Sequence, residues 1–268
     1  MLKTIFAILK KDFLMESSYR LSFVFSIFGA LASVASYFFI DKLFGQRITP
    51  YLEEFGVNYF SYVLLSIAFF GYVGAGLGSF SSRLQLEQMQ GTLEAFFLTP
   101  AKISAILMAT ALWNIIFSTL NMAIYILLGV FLFKIDFSKI NFISSGCIFL
   151  LTITSFSSIG IFSAAFTMIF KRGNPLAWAV SNVEGLISGV YFPVTVLPAG
   201  FQFLAKIFPI TYAIRAIELA VYKGYTPLQL KKEIGFLIFF SVLLLPLSLA
   251  AFKYSLKKAR ENGSLGQY

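Results

Sequence analysis

The chain has no histidine and one cysteine, Cys147, in 268 residues. Without imidazole there is no His general base, no Ser-His nucleophile pair, no HExxH zinc site and no His-ligated haem. A lone cysteine excludes an intrachain disulfide. No G-x-x-x-x-G-K-[ST] segment occurs, which excludes ATP hydrolysis by P-loop chemistry in this chain. Charge is scarce as well. Charged residues make up 12 % of the sequence, against about 25 % in an ordinary soluble domain. No internal repeat, low-complexity tract or soluble domain is evident. The first residues do not read as a signal peptide, because Lys10-Lys11-Asp12 interrupts a short apolar segment and no small-residue cleavage site follows.

What fills the chain instead is apolar. Hydrophobic residues account for 58 %, with 33 phenylalanines. This composition is that of a polytopic membrane protein. The net charge of +9 does not point to nucleic acid, because the basic residues flank apolar runs, where topology and anionic lipid account for them.

Residues 1–19 read as an amphipathic interfacial helix, with Leu2, Ile5, Phe6, Leu9 and Phe13 on one stripe and Lys3, Lys10, Asp12 and Glu16 elsewhere. Six runs follow that can cross a hydrocarbon core of about 30 Å. They lie near 21–40, 60–82, 103–133, 142–170, 176–192 and 234–252, the fifth being the shortest. The expected fold is an all-α membrane protein with six transmembrane helices, and residues 1–268 form one domain. The third helix, counted from Pro100, is about 50 Å long and is expected to project beyond the bilayer.

Orientation follows from Lys and Arg. With both termini cytoplasmic, twelve of them lie on the inner side and four in the short outer loops at Lys42, Arg47, Lys134 and Lys139. Five more in 193–233 weaken the bias without reversing it.

Segment 193–233 is punctuated by Pro193, Pro198, Pro209 and Pro227. Between them lie two amphipathic pieces, 199–208 and 211–223, each too short to span. Thr211 is placed to cap the second, and Arg215, also a candidate path or gating residue, and Glu218 are spaced to pair at i,i+3. A re-entrant helical hairpin in the outer leaflet fits, since irregular backbone at that depth must be sheltered by protein.

Between the second and third spans lies Glu87-Gln88-Met89-Gln90-Gly91-Thr92-Leu93-Glu94-Ala95-Phe96-Phe97-Leu98-Thr99-Pro100. Met89, Leu93, Phe96 and Phe97 form one helical face, with Glu87, Gln90 and Glu94 opposite. Gly91 costs a helix interior roughly 1 kcal/mol relative to Ala, which suggests close backbone approach by another chain. Thr99-Pro100 reads as an N-cap and first helical position. From pattern alone, 87–99 is either a helix resting on the membrane surface or a docking helix for a cytosolic partner.

The order of these residues resembles the permease subunits of ABC-2 type ATP-driven exporters. So does the run Asn182-Val183-Glu184-Gly185-Leu186-Ile187-Ser188-Gly189-Val190-Tyr191-Phe192-Pro193, followed by Leu197-Pro198, Pro209-Ile210-Thr211-Tyr212 and Arg215. The resemblance implies that 87–99 is the coupling helix seated in a groove of a separate ATPase subunit. Glu87, Gln88, Gln90, Gly91, Thr92, Leu93 and Glu94 would then make the docking surface. It also implies a dimer: two permease copies, or one copy and a related subunit, with two copies of the ATPase subunit, which binds the ATP and Mg. The chain itself is then neither an enzyme nor the holder of a cofactor. The expected location is the plasma or inner membrane.

Several residues within the spans carry open readings. Glu184, near the middle of the fifth span, is a charge costing about 2.5–3.5 kcal/mol on insertion scales. It serves either a transport path or gate, or a structural hydrogen bond. Thr110, Asn114, Ser118, Asn121 and Tyr125 form a polar stripe on the third span, either lining a path or gluing helices, with glue favoured. Gly74 with Gly78, and Gly185 with Gly189, are small-xxx-small pairs suited to helix packing and to a dimer seam. The functional alternative is an ion-coupled secondary transporter using Glu184. The missing inverted repeat and the scarcity of buried acids count against it. An intramembrane enzyme is disfavoured by the lack of His and of paired aspartates. The sequence does not indicate the substrate.

Overall fold

The computed structural model describes residues 2–89, 103–170, 182–183 and 185–261. The regular elements found there are helical. Helix α1 (Leu2–Ser18) is separated from α2 (Arg20–Ile48) by Tyr19, whose backbone leaves the helical region. After a 3-10 turn at Thr49–Leu52 come α3 (Tyr59–Met89), α4 (Ile103–Phe133) and α5 (Phe142–Phe170). A second 3-10 turn at Val194–Val196 leads into α6 (Ala199–Ala205), α7 (Pro209–Tyr222) and α8 (Lys231–Glu261).

Among the described residues, five segments are long and apolar enough to cross a membrane: Phe23–Leu52, Tyr59–Gly78, Met108–Phe133, Phe142–Ile169 and Lys231–Ala259. They match five of the six expected spans, and α4 and α5 match at both ends. The expected first and last spans prove short. Helix α2 continues to Ile48, and Asp41 on that continuation accepts a hydrogen bond from the Phe60 amide at the start of α3, 3.3 Å. Helix α8 runs past its apolar stretch to Glu261, with Pro246 inside it.

Much of the expected fifth span, 176–192, lies outside the described residues. Its far end does not stay helical. The helical backbone stops at Ile187 and residues 188–192 bend. Gly189 sits at φ +93°, a conformation that L side chains rarely adopt. Gly185 and Gly189 therefore do not share one helix face, and the expected pair is corrected on that point.

Helix α3 is the centre of the bundle, packing against α2, α4, α5 and α7, while α5 also carries α8. The tightest contact is between α3 and α5. A Cβ on Gly160 would fall onto the Gly76 carbonyl oxygen, and one on Gly76 would come within 2.8 Å of the Phe156 Cβ. The backbones therefore meet directly, as small residues allow. The glycine singled out from sequence, Gly74, has open space where its Cβ would be.

The two ends of the bundle differ. At one end, Phe80 of α3, Ala164 and Met168 of α5 and Phe252 and Leu256 of α8 form a cluster. Helix α1 also lies at this end, burying Ile5 against Ala105 and Ala109 of α4, with Ile8 and Leu9 alongside. The expected α1 stripe is therefore divided. Ile5 and Leu9 face α4 and the part-exposed Phe13 meets Trp113 of α4 edge-on, whereas Leu2 and Phe6 are exposed on the adjoining face. At the other end sit the 3-10 turn at Thr49–Leu52, the α4–α5 loop and the α6–α7 hairpin. They are tied by Asn141 N–H to the Ala220 carbonyl, 3.0 Å, and by the Tyr222 hydroxyl to the Ser61 carbonyl, 2.8 Å.

The α3–α5 seam predicts a contrast. Gly160→Val overpacks it and lowers stability by about 1–3 kcal/mol, read as a lower Tm in detergent, whereas Gly74→Ala does not lower it. Equal Tm values for the two variants would refute the seam.

Candidate functional site at the hairpin end

Helix α7 is apolar on nearly every side. Ile210, Ala213, Ile214, Ala216, Ile217, Leu219, Ala220 and Val221 are all buried. A helix apolar all round belongs inside a structure, and α7 packs between α3, α5 and α8. Pro209 opens it at a first-turn position, where its fixed φ suits the helix and no amide is lost. Thr211 does not cap it. The residue before the first turn is Phe208, and the Thr211 hydroxyl donates back to the Ala205 carbonyl, 2.7 Å, joining α7 to α6.

Two charged residues interrupt the apolar surface of α7, and they do not pair with each other. Arg215 turns outward to Glu54, in the turn after α2, and to Glu233, in the first turn of α8, with Nη1 2.9 Å from Glu233 Oε1. Partial burial depresses the Arg215 pKa, but the hydrogen bond and charge of Glu54 and the charge of Glu233 outweigh it, and the net shift is upward. The guanidinium thus clamps three separate chain segments while fully charged.

Glu218 turns the other way, into the core. It is fully buried. Oε1 accepts from the Ser66 hydroxyl of α3, 2.8 Å, and Oε2 has no hydrogen-bond partner. Burial holds this carboxyl well above the usual carboxylate range, with the Ser66 bond pulling the other way but less strongly. The neutral acid is the form this environment favours.

Beside the Arg215 clamp is a cavity of about 330 Å³, lined by Glu54, Tyr62, Ser188, Gln202, Lys206, Thr211, Arg215 and Lys232 among others. The Tyr62 hydroxyl donates to the Gly189 carbonyl, 2.5 Å, fixing the bend at 188–192 against α3. The positive φ at Gly189 lets its carbonyl take that direction. Among the described residues no cluster of Cys, Asp and Glu side chains is arranged to hold a metal ion.

The remaining sequence-derived candidates are scattered. Asn114 is half-buried on α4 and donates to the Thr110 carbonyl of its own helix, 2.9 Å. Thr110 likewise bonds to Ile106. Among the described residues a polar link between α3 and α4 runs from Tyr72 to Thr119, 2.7 Å, outside the expected stripe. Asn121 is half-buried further along α4. Gly185 is buried beside the Phe70 ring, 3.4 Å from where its Cβ would be, and Gly78 is half-buried on α3. Glu87 and Gln88 belong to the last turn of α3. Gln90, Gly91, Thr92, Leu93, Glu94 and Glu184 lie outside the described residues.

A bundle of apolar helices, an amphipathic first helix and the buried helix α7 now stand together. The model of the ABC-2 type transporter family matches residues 3–222. The chain belongs to this family. Among curated proteins no match is found. As an ABC-2 membrane domain, the chain is a membrane-embedded permease subunit of a transporter, and members of the family typically pair with an ATPase subunit. The matched region takes in everything from α1 to the end of α7.

Within this ABC-2 domain the sequence reading missed Glu218 as a core residue and Glu54 and Glu233 as Arg215 partners. A signal for Glu218 was present. It lies one turn from Ile214 and next to Ile217, on a helix where apolar residues far outnumber polar ones.

Removing the clamp residue leaves Glu233, whose side chain is 6 % exposed, without its cation. Arg215→Met is expected to cost about 2–3 kcal/mol, and Glu54→Gln, on the exposed side, about 1 kcal/mol or less. Thermal unfolding in detergent reads both. Glu218 gives a pH prediction. Its folded pKa is raised, so above the ordinary carboxyl range the native state holds a proton that the unfolded state has lost. Stability from this group therefore falls as pH rises towards the folded value. Glu218→Gln keeps an acceptor for Ser66, removes that slope and raises Tm at neutral pH. A Tm–pH profile unchanged by the substitution would contradict the burial argument.

Proposed function

We propose that this ABC-2 subunit is the translocation path of an ATP-driven exporter, working as a homodimer with two copies of a separate ATPase subunit. In this reading the termini are cytoplasmic, the hairpin end faces outward and the protein sits in the plasma or inner membrane. The ATPase binds ATP and Mg, and this chain does no chemistry of its own.

The observation that carries the reading is the length of α3. Its apolar run ends at the first charged residue, Arg83, yet the helix continues to Met89, about 9 Å further. That continuation bears Arg83, Gln85, Glu87 and Gln88, residues suited to water. A rigid lever of this kind would deliver the 87–99 segment clear of the bilayer to a cytosolic partner. Closure of the ATPase would then move α3. Because α3 packs against α2, α4, α5 and α7, the movement would reach every neighbour at once. Helix α2 buries Ala30 and Val34 but leaves Phe23, Phe25, Phe28, Phe39 and Leu43 exposed, an apolar face open to lipid or to the second copy.

The expected result is that a P-loop ATPase co-purifies with the chain in mild detergent. Reversing Glu87 and Glu94 to Lys, or placing Trp at Gly91, is expected to abolish its retention or to leave ATP hydrolysis uncoupled from transport. Membrane insertion should be unaffected. Normal transport in these variants would refute the docking role.

A further inference from the structure

The cavity beside the Arg215 clamp has an unbalanced charge. Its carboxylate, Glu54, and the neighbouring Glu233 are both taken by Arg215. Lys206, at the end of α6, and Lys232, in the first turn of α8, line the same cavity, and neither has an ion-pair partner among the described residues. Ser188 supplies a second, independent sign. It is 1 % exposed, lines the cavity, and its Oγ has no hydrogen-bond partner. A buried hydroxyl left unpaired costs about 1–3 kcal/mol, and a ligand oxygen in the cavity would relieve it. The volume falls within the range of small-molecule sites, about 300–1,000 Å³.

On the other side of the α6–α7 turn is a groove of about 280 Å³ with an apolar lining that includes Ile159, Phe162, Phe208, Phe240, Leu244 and Leu247. The two spaces adjoin at the α6–α7 turn. Lys206 and Thr211 face the first, while Ile207, Phe208 and Pro209 between them face the second. Tyr212, at the cavity, stacks on Phe236, which stacks on Phe240 in the groove, with centroids 3.9 Å and 5.1 Å apart. Helix α8 runs past both. From Lys232 to Leu247 is about 22 Å along a helix axis, so a cationic end gives way to an apolar track directed towards the bilayer interior.

We infer that the hairpin end holds an anionic phospholipid of the adjacent leaflet, with its phosphate between Lys206 and Lys232 beside Ser188 and an acyl chain along α8 in the groove. The charge selects the phosphate. The groove selects a lipid over free phosphate. The site is independent of the ATPase reading, and its test is a binding measurement that needs no ATPase.

The full chain, delipidated in mild detergent, would be titrated with phosphatidylglycerol, phosphatidylcholine or soluble glycerol phosphate and read by native mass spectrometry. Phosphatidylglycerol is expected to bind more tightly than phosphatidylcholine, and glycerol phosphate hardly at all. The double variant Lys206→Gln with Lys232→Gln is expected to weaken phosphatidylglycerol binding about thirtyfold, on the scale of roughly 1 kcal/mol per basic residue near an anionic lipid surface. Lys206→Arg with Lys232→Arg should keep it, which separates charge from any effect on folding. Equal binding of the two lipids, unaltered by the Gln substitutions, would mean annular lipid only and overturn the inference. Tight binding of glycerol phosphate alone would overturn it in favour of a free-phosphate site.

Discussion

The backbone contact between α3 and α5 at Gly76 and Gly160 sets the spacing to which the rest of the bundle conforms. In lipid, helices gain little from burying one apolar surface against another, so association depends on close van der Waals approach and on hydrogen bonds. With α3 and α5 in direct contact, Phe156 and Ile148 on α5 and Phe69 and Val73 on α3 fall into one core. Helix α7 then lies between α3, α5 and α8. A change at this seam would be felt in every helix that touches α3.

The hairpin meets a second requirement. Backbone that does not span must still have its amides and carbonyls satisfied where water is scarce. Helix α7 meets this by internal hydrogen bonding and near-complete burial. The links at its ends, Thr211 to Ala205 and Tyr225 N–H to the Leu219 carbonyl, are local. Its charged residues then divide the work. Arg215 joins the hairpin to the α2 turn and to α8 at the surface, and Glu218 joins it to α3 in the interior. One helix thereby couples three parts of the chain to the central helix. In the ABC-2 subunit α7 thus links the Arg215 clamp at the surface to α3 in the interior.

Much of this was legible in the sequence because membrane helices have few alternatives. Spans 103–133 and 142–170 are bounded by polar or loop-forming residues, and a bilayer of fixed thickness accepts little else. The hairpin was legible from the spacing of its prolines. Side-chain partnerships were not. Arg215 and Glu218 stand at a spacing that favours pairing in an isolated helix, but α7 is surrounded, so its neighbours in space, Glu54, Glu233 and Ser66, determine the outcome. Gly74 belongs to a packing motif, yet it meets open space while Gly76, two residues on, is in contact. The motif records which positions are small and not which way α3 is turned.

By itself the sequence determined the class, the positions of most helices and the family, because composition and apolar run length follow directly from the solvent the chain must face. Tertiary structure alone decided which glycines touch, which carboxylate is clamped and which is buried. It also decided that Lys206 and Lys232 share a cavity with Ser188. These residues lie far apart in the chain or on different helices, and nothing local to any one of them specifies the rotation and register at which the helices meet.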